Sequence, residues 1–340
     1  MERRKFIVQA GIIGTSLLGL SAISLPEFTD KIFPKALKQG DTIALTAPAG
    51  AIFSPTYIDK ISNKLKSFGF KVVQGKTLFE KYGYLAGKDE LRATEINNFF
   101  KDKNIAGIFT LRGGWGCGRI LDLIDYETIR QNPKIIMGFS DITALLIAIY
   151  KKTGLVTFHG PMGYSSWNDF STEQVFDTLV LSKRVKFENA QVEKTNLKTL
   201  SKGRGEGEIL AGNLTVLCSL IGTAFEPDWT NKILCLEEIG EEPYRIDRMF
   251  WQLKMAGVFE AVNGIILGSF RKCEPEFPSE SFSLMEVFKQ YFEAINVPVF
   301  MGASFGHTVN KFNLPIGVKA VMNTADFQFQ LLENPTQLNR

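Results

Sequence analysis

Histidine is nearly absent from this chain: there are two in 340 residues, His159 and His307. Imidazole is the commonest base for activating a hydroxyl near neutral pH, so a general-base argument has two candidates. Cysteine is scarce as well. Cys117, Cys218, Cys235 and Cys273 are scattered without a C-x-x-C pair, so they give neither a zinc site nor a disulfide framework. Charge of one sign is also lacking. The formal net charge is +3, and most of that excess comes from Arg3, Arg4 and Lys5 against Glu2. The remainder is almost neutral, and nothing in it suggests a nucleic-acid groove. No internal repeat is visible, and RGGWGCG, Arg112 to Gly118, lacks the spacing and the lysine of a phosphate-binding loop.

With 45% apolar residues, 22% charged residues and thirteen prolines, the chain can bury the core of one large domain or two ordinary ones. Its first residues, MERRKFIVQAGIIGTSLLGLSAIS, combine a charged start, an apolar run to about Leu25, and small residues at Ala22 and Ser24. That is the form of an export signal, and Arg3-Arg4 has the form of a twin-arginine signal. The expectation for residues 1–25 is therefore a cleaved leader to the periplasm. An uncleaved inner-membrane anchor, or a cytoplasmic protein, is the alternative.

Beyond the leader, strands and helices alternate. DTIALTA is a strand ending in Pro48-Ala49-Gly50, and a helix follows over Pro55 to Phe68. FKVVQG, IAGIFTL and Lys134 to Met137 are further strands, separated by helices over Glu90 to Lys101 and Arg119 to Arg130, with another over Asp141 to Lys151. This alternation argues for a parallel sheet covered on both faces, whose ligands bind at the carboxyl ends of the strands. Residues 35–165 form the first unit. Residues 166–205, rich in Asn and Lys, read as an inter-domain connection with a helix over Thr172 to Ser182. Residues 206–335 form the second unit. It has strands at Lys232 to Glu237 and Ala261 to Gly268, a helix over Tyr244 to Ala256, and an antiparallel end in VKAVMNTADFQFQLLE.

Ser140, in IIMGFSDITALL, follows a short apolar strand and opens a helix. On such a turn a serine hydroxyl is pushed out of the sheet, next to helix N–H groups able to hold an oxyanion. Ile142 stands where the generic elbow has a glycine, and serine is also a preferred helix cap, so the stretch alone favours capping over nucleophile. Cys117, between Gly116 and Gly118, is a rival nucleophile near helix N–H groups. Glu237 ends the apolar run ILCLE and could orient an imidazole, whereas Glu241 and Glu242 read as an exposed loop. His307 lies in the loop ASFGHTVNK, and His159 follows a β-branched run that would suit a core histidine. Ser140, Glu237 and His307 give a nucleophile, acid and base in three separate loops, an order that triads permit but do not require.

Several separated stretches carry a specific resemblance: YGYLAGKDELRATEINNFF, LRGGWGCGRIL, IIMGFSDITALL with VTFHGPM, GEGEILAGNLTVLCSLIGT, ILCLEEIGEEPYRIDRM, and FGHTVN followed by LPIG. Together they resemble the LD-carboxypeptidase family, serine peptidases typified by muramoyltetrapeptide carboxypeptidase. The resemblance covers about Leu37 to Met322. It implies a Rossmann-like or flavodoxin-like N-terminal α/β domain, a C-terminal mixed α+β domain and an active site between them. It further implies the triad Ser140, Glu237 and His307, and an oxyanion hole from the backbone N–H groups of Asp141 and Gly114. No cofactor or metal is expected. A homodimer is usual in the family, and a murein tetrapeptide losing its terminal D-alanine is the implied substrate. Arg112, Asn213 and Arg245 are candidates for gripping that substrate, although either arginine could instead pair with a structural carboxylate. A microcin-C-type immunity peptidase acting on a peptidyl-nucleotide amide is the alternative within the family. A murein-binding protein without turnover is the alternative outside it.

Overall fold

The computed structural model describes residues 30–338, so the expected leader over residues 1–25 lies outside the described residues. Two sheets organise the chain. The first is built from β1 (Thr42–Thr46), β2 (Lys71–Gln74), β3 (Ile105–Thr110), β4 (Ile135–Gly138) and β5 (Thr157–His159). These strands are parallel and lie in the order β2-β1-β3-β4-β5, a doubly wound arrangement of flavodoxin type. Helices α1 (Thr56–Ser67), α2 (Asp89–Lys101), α3 (Tyr126–Gln131) and α4 (Thr143–Thr153) make the crossovers. In such a sheet the chain reverses direction between β1 and β3, and the crevice beyond their carboxyl ends is the natural ligand site.

The central strands have no polar face. Ile43, Ala44 and Leu45 of β1, and Ile135, Ile136 and Met137 of β4, are all fully buried, as expected of parallel strands covered on both sides. Helix α4 is apolar nearly all round, with Ala144 to Ile149 buried without interruption, because it is enclosed between the two halves of the molecule. It ends at Gly154, which takes a left-handed backbone (φ 74°).

The second sheet combines parallel and antiparallel strands. Helix α5 (Asp169–Leu179) and strand β6 (Lys198–Ser201) precede β7 (Arg204–Asn213), α6 (Leu214–Leu220), β8 (Lys232–Ile239), α7 (Pro243–Met255), α8 (Val258–Ala261) and β9 (Gly264–Arg271). Then come α9 (Leu284–Phe292), β10 (Val299–Met301), β11 (Leu314–Ile316), β12 (Lys319–Asn323) and β13 (Gln328–Leu331). The order is β13-β12-β7-β8-β9-β10-β6, with β7 to β10 parallel and the flanking strands antiparallel. Strand β11 is absent from this sheet. It pairs antiparallel with β5 and completes the edge of the first.

Three sequence expectations need correction. The helix expected over Arg119 to Arg130 is two pieces, a 3-10 segment Cys117–Leu123 and α3. Asp125 separates them by accepting the Thr128 N–H, as an N-cap does. The segment 166–205 is more than a connection, since β6 is an edge strand of the second sheet. The strand expected from Ala261 begins at Gly264, because Ala261 ends α8.

Candidate active site

The turn between β4 and α4 explains Gly138-Phe139-Ser140-Asp141. A Cβ on Gly138 would fall 2.3 Å from Thr110 Oγ1 and 2.8 Å from Ile142 Cγ2, so only glycine lets β4 end so close to β3. Ser140 then adopts φ 61°, a left-handed backbone that costs a residue with a side chain about 1–2 kcal/mol. Ser140 to Ile142 form one 3-10 turn, and α4 starts after Ile142 without a side-chain cap. This backbone does not fit the capping reading of the stretch alone: an N-cap has extended backbone, whereas Ser140 is left-handed and its side chain caps neither helical segment.

Glycine also shapes the space beside this serine. A Cβ on Gly113 would lie 3.0 Å from Ser140 Oγ and 3.1 Å from the Asp141 nitrogen, so a side chain there would fill the region in front of both. Gly114 (φ 109°) follows and lines the same cavity as Ser140.

Glu237 and His307 meet on the second sheet. Glu237 lies fully buried in β8, directly across from Asn213 of β7, and its Oε2 is 2.6 Å from His307 Nδ1. Burial pushes the Glu237 carboxyl up. The hydrogen bond and charge of His307 outweigh that and hold it below its ordinary value. An ionised carboxylate only accepts, so the proton of this bond sits on Nδ1, which leaves Nε2 of a neutral ring free to accept. The F-G-H sequence has a steric cause. Gly306 has φ 85°, and a Cβ there would come within 2.5 Å of Glu237 Cβ and 2.6 Å of its Oε2. The His307 ring stands edge-on to Phe139, centroids 4.9 Å apart, so the imidazole packs on the residue immediately before Ser140.

The other candidates separate clearly. His159 is buried at the end of β5, between the rings of Phe139 and Phe305. Burial lowers its pKa to about 4, so it is a neutral wall behind the Glu237–His307 pair. Cys117 is fully buried, and burial, with the Asp141 charge, raises its thiol well above the ordinary value. A buried thiol of that kind is not a thiolate nucleophile, which corrects the rival assignment.

A cavity of about 470 Å³ opens at Ser140, lined among others by Gly114, Trp115, Arg119, Asn213 and Glu241. Asn213 caps α6 by accepting the Val216 N–H, and its amide donates to Glu238 at 2.8 Å. Arg112 and Arg245 are not part of this lining. Arg112 donates to the Ala51 carbonyl and lies against Phe53 and Tyr164, while Arg245 is exposed on α7 beside Glu241 and Tyr244. Glu238 was overlooked in the sequence. Its carboxylate accepts from Asn213, from the Ile239 N–H and from the Thr215 N–H and hydroxyl, and it is among the cavity-lining residues. Two adjacent acids closing the apolar run ILCLEE could have suggested it, because adjacent strand residues face opposite sides and both acids would then need partners.

Residues 43–160 match the LD-carboxypeptidase N-terminal domain, and residues 206–322 match the LD-carboxypeptidase C-terminal domain. The probable murein peptide carboxypeptidase of Bacillus subtilis is 40% identical over 86% of this chain and 92% of its own length. The murein tetrapeptide carboxypeptidase of Pseudomonas aeruginosa is 32% identical over 82% of this chain and 92% of its own. Among solved structures, the microcin C7 self-immunity protein MccF of Escherichia coli, in complex with aspartyl sulfamoyl adenosine, superposes with a TM-score of 0.83 at 28% identity, over 90% of this chain and all of that one. With both domains of the family matched and the two-sheet architecture shared, this chain is a member of the LD-carboxypeptidase family.

Proposed function

We propose that the protein is a serine LD-carboxypeptidase that removes the terminal D-alanine from murein tetrapeptides. The observation that carries this reading is the 2.6 Å Glu237–His307 contact, packed on the elbow that presents Ser140 to an open cavity.

In the proposed reaction His307 Nε2 takes the Ser140 proton as Oγ attacks the scissile carbonyl. Charge developing on the carbonyl oxygen is held by the Asp141 N–H at the start of the helical turn, together with the N–H of Gly114. Collapse of the tetrahedral species returns the proton to the leaving amine of D-alanine, and water, activated by the same imidazole, releases the acyl group. Glu237 fixes the tautomer throughout and stabilises the imidazolium.

The substrate class is supported by the 40% identity to a murein peptide carboxypeptidase. The charged groups of the cavity wall are engaged within the protein: Glu238 by Asn213, Thr215 and the Ile239 N–H, Glu241 by Arg245, and Arg119 by Asp89. The likeness to MccF supports the other reading, cleavage of an aminoacyl-nucleotide amide. The test is to incubate the purified protein with disaccharide tetrapeptide and follow loss of D-alanine by mass spectrometry. Ser140→Ala should lower turnover on the order of 10⁴-fold or more. Cleavage of an aminoacyl sulfamoyl adenosine but not of tetrapeptide would move the protein to the immunity branch. Tetrapeptide turnover that survives in Ser140→Ala would end the serine mechanism.

A further inference from the structure

The peptide group joining Gly116 to Cys117 is gripped at both ends. Its carbonyl accepts from Arg92 Nη1 at 2.9 Å, and its N–H donates to Asp141 Oδ2 at 2.8 Å. Arg92 comes from α2 and is completely buried, an unusual position for a guanidinium. It also donates to the Pro48 carbonyl after β1 and pairs with Asp89, which in turn binds Arg119. One side chain thus ties together the loops that leave β1 and β3. Gly116 is shaped for the arrangement: it has φ 113°, and a Cβ there would lie 3.0 Å from Arg92 Nη1 and 2.5 Å from Leu85. The other grip is the carboxylate of the residue that follows Ser140. Burial raises the Asp141 carboxyl, so this group also bears a desolvation cost that a solvent-facing first-turn acid would not.

We infer that Arg92 and the Asp141 carboxylate are positioning residues, which lock the Gly113–Cys117 loop against the Ser140 turn and fix the distance between Asp141 and the loop glycines in front of the serine. The inference rests on the serine-hydrolase reading above. It assigns the Asp141 side chain a task separate from that of its backbone N–H. Rigid placement of oxyanion donors before the reaction is what makes them effective, because donors that must first be ordered lose much of their value.

The test uses the full chain carrying Asp141→Ala, Asp141→Asn or Arg92→Lys. An asparagine carbonyl still accepts the Cys117 N–H, whereas alanine cannot. A lysine ammonium cannot span two carbonyls and a carboxylate as the guanidinium fork does. Asp141→Ala and Arg92→Lys should lower kcat on the order of 10–10²-fold and leave KM nearly unchanged, and Asp141→Asn should recover most of the loss. The rate at which a fluorophosphonate labels Ser140 gives the same comparison without any peptide substrate. Alkylation of Cys117 by iodoacetamide, read by peptide mapping, should rise in both defective variants as the loop loosens. The inference is overturned if Asp141→Ala keeps its labelling rate and kcat, or if Asp141→Asn falls as far as Asp141→Ala. Failure of the serine reading is separate and shows as phosphonate labelling at a residue other than Ser140.

Discussion

Replacing Gly306 by alanine should damage catalysis without touching any reacting atom. The new methyl would sit 2.5 Å from Glu237 Cβ, whereas non-bonded carbons rest about 3.5–4.0 Å apart, so roughly 1 Å of displacement is required. Glu237 is held in β8 between two paired strands, so the loop carrying His307 must yield. The left-handed backbone at Gly306 costs alanine about 1–2 kcal/mol. Loss of the charge-assisted bond to His307 adds about 1.5–3 kcal/mol. A stability loss of about 2.5–5 kcal/mol is therefore expected. An error near 1 Å in a catalytic group costs about 10²-fold in rate, so kcat should fall by that factor while KM moves little. Urea unfolding and D-alanine release, measured where the variant is still folded, check the two figures. A variant that turns over within about threefold of the parent would refute the reasoning, since the Glu237–His307 geometry would then not depend on the space at position 306.

Three further outcomes are expected. Glu237→Gln should lower turnover by about 10⁴-fold at neutral pH, because an amide that donates to Nδ1 leaves the proton of His307 on Nε2; equal rates for the two proteins would remove Glu237 from the mechanism. Burial alone would raise the Glu208 carboxyl, but Lys232, Tyr150 and Lys31 bring it down to about 2. A carboxyl depressed on folding stabilises above its unfolded pKa of about 4.3, and that contribution, about 3 kcal/mol here, is lost as pH falls toward 2. Unfolding of Glu208→Gln should therefore show a large deficit at pH 7 that closes on acidification; a deficit independent of pH would contradict the assignment. Export by the twin-arginine route predicts that a full chain with Arg3→Lys and Arg4→Lys moves from the periplasmic to the cytoplasmic fraction, and an unchanged distribution would exclude that route.

What could be read from the sequence was local, and what could not was long-range. Periodicity located β1 to β4 and helices α1, α2 and α4 to within about two residues, because each is a short run bounded by glycine, proline or a charged turn, whereas the helix expected over Arg119 to Arg130 is broken at Asp125 and β5 was not foreseen as a strand. The doubly wound form followed from their alternation. Ser140 was ambiguous for a physical reason: cap and nucleophile occupy the same place in a strand-to-helix sequence, and only φ at that residue separates them. Glu237 and His307 are 70 residues apart, and no local pattern pairs them; the family resemblance did. Arg112 and Arg245 attracted attention as charges, yet a charge reveals its partner only in three dimensions. Here the partners are a carbonyl with two rings for Arg112, and a half-buried glutamate for Arg245. Arg92 drew no attention, because nothing in KDELR shows that the arginine is buried.

Strand β11 belongs by sequence to the second half of the chain and by hydrogen bonds to the first. The half that carries Ser140 consequently cannot finish its own sheet. During synthesis it must wait with β5 as a bare edge until nearly the whole chain has emerged, and a chain truncated near residue 205 would expose that edge to self-association. In the folded protein the same strand is a stitch a short way beyond His307, and parting the two halves means breaking its hydrogen bonds to β5.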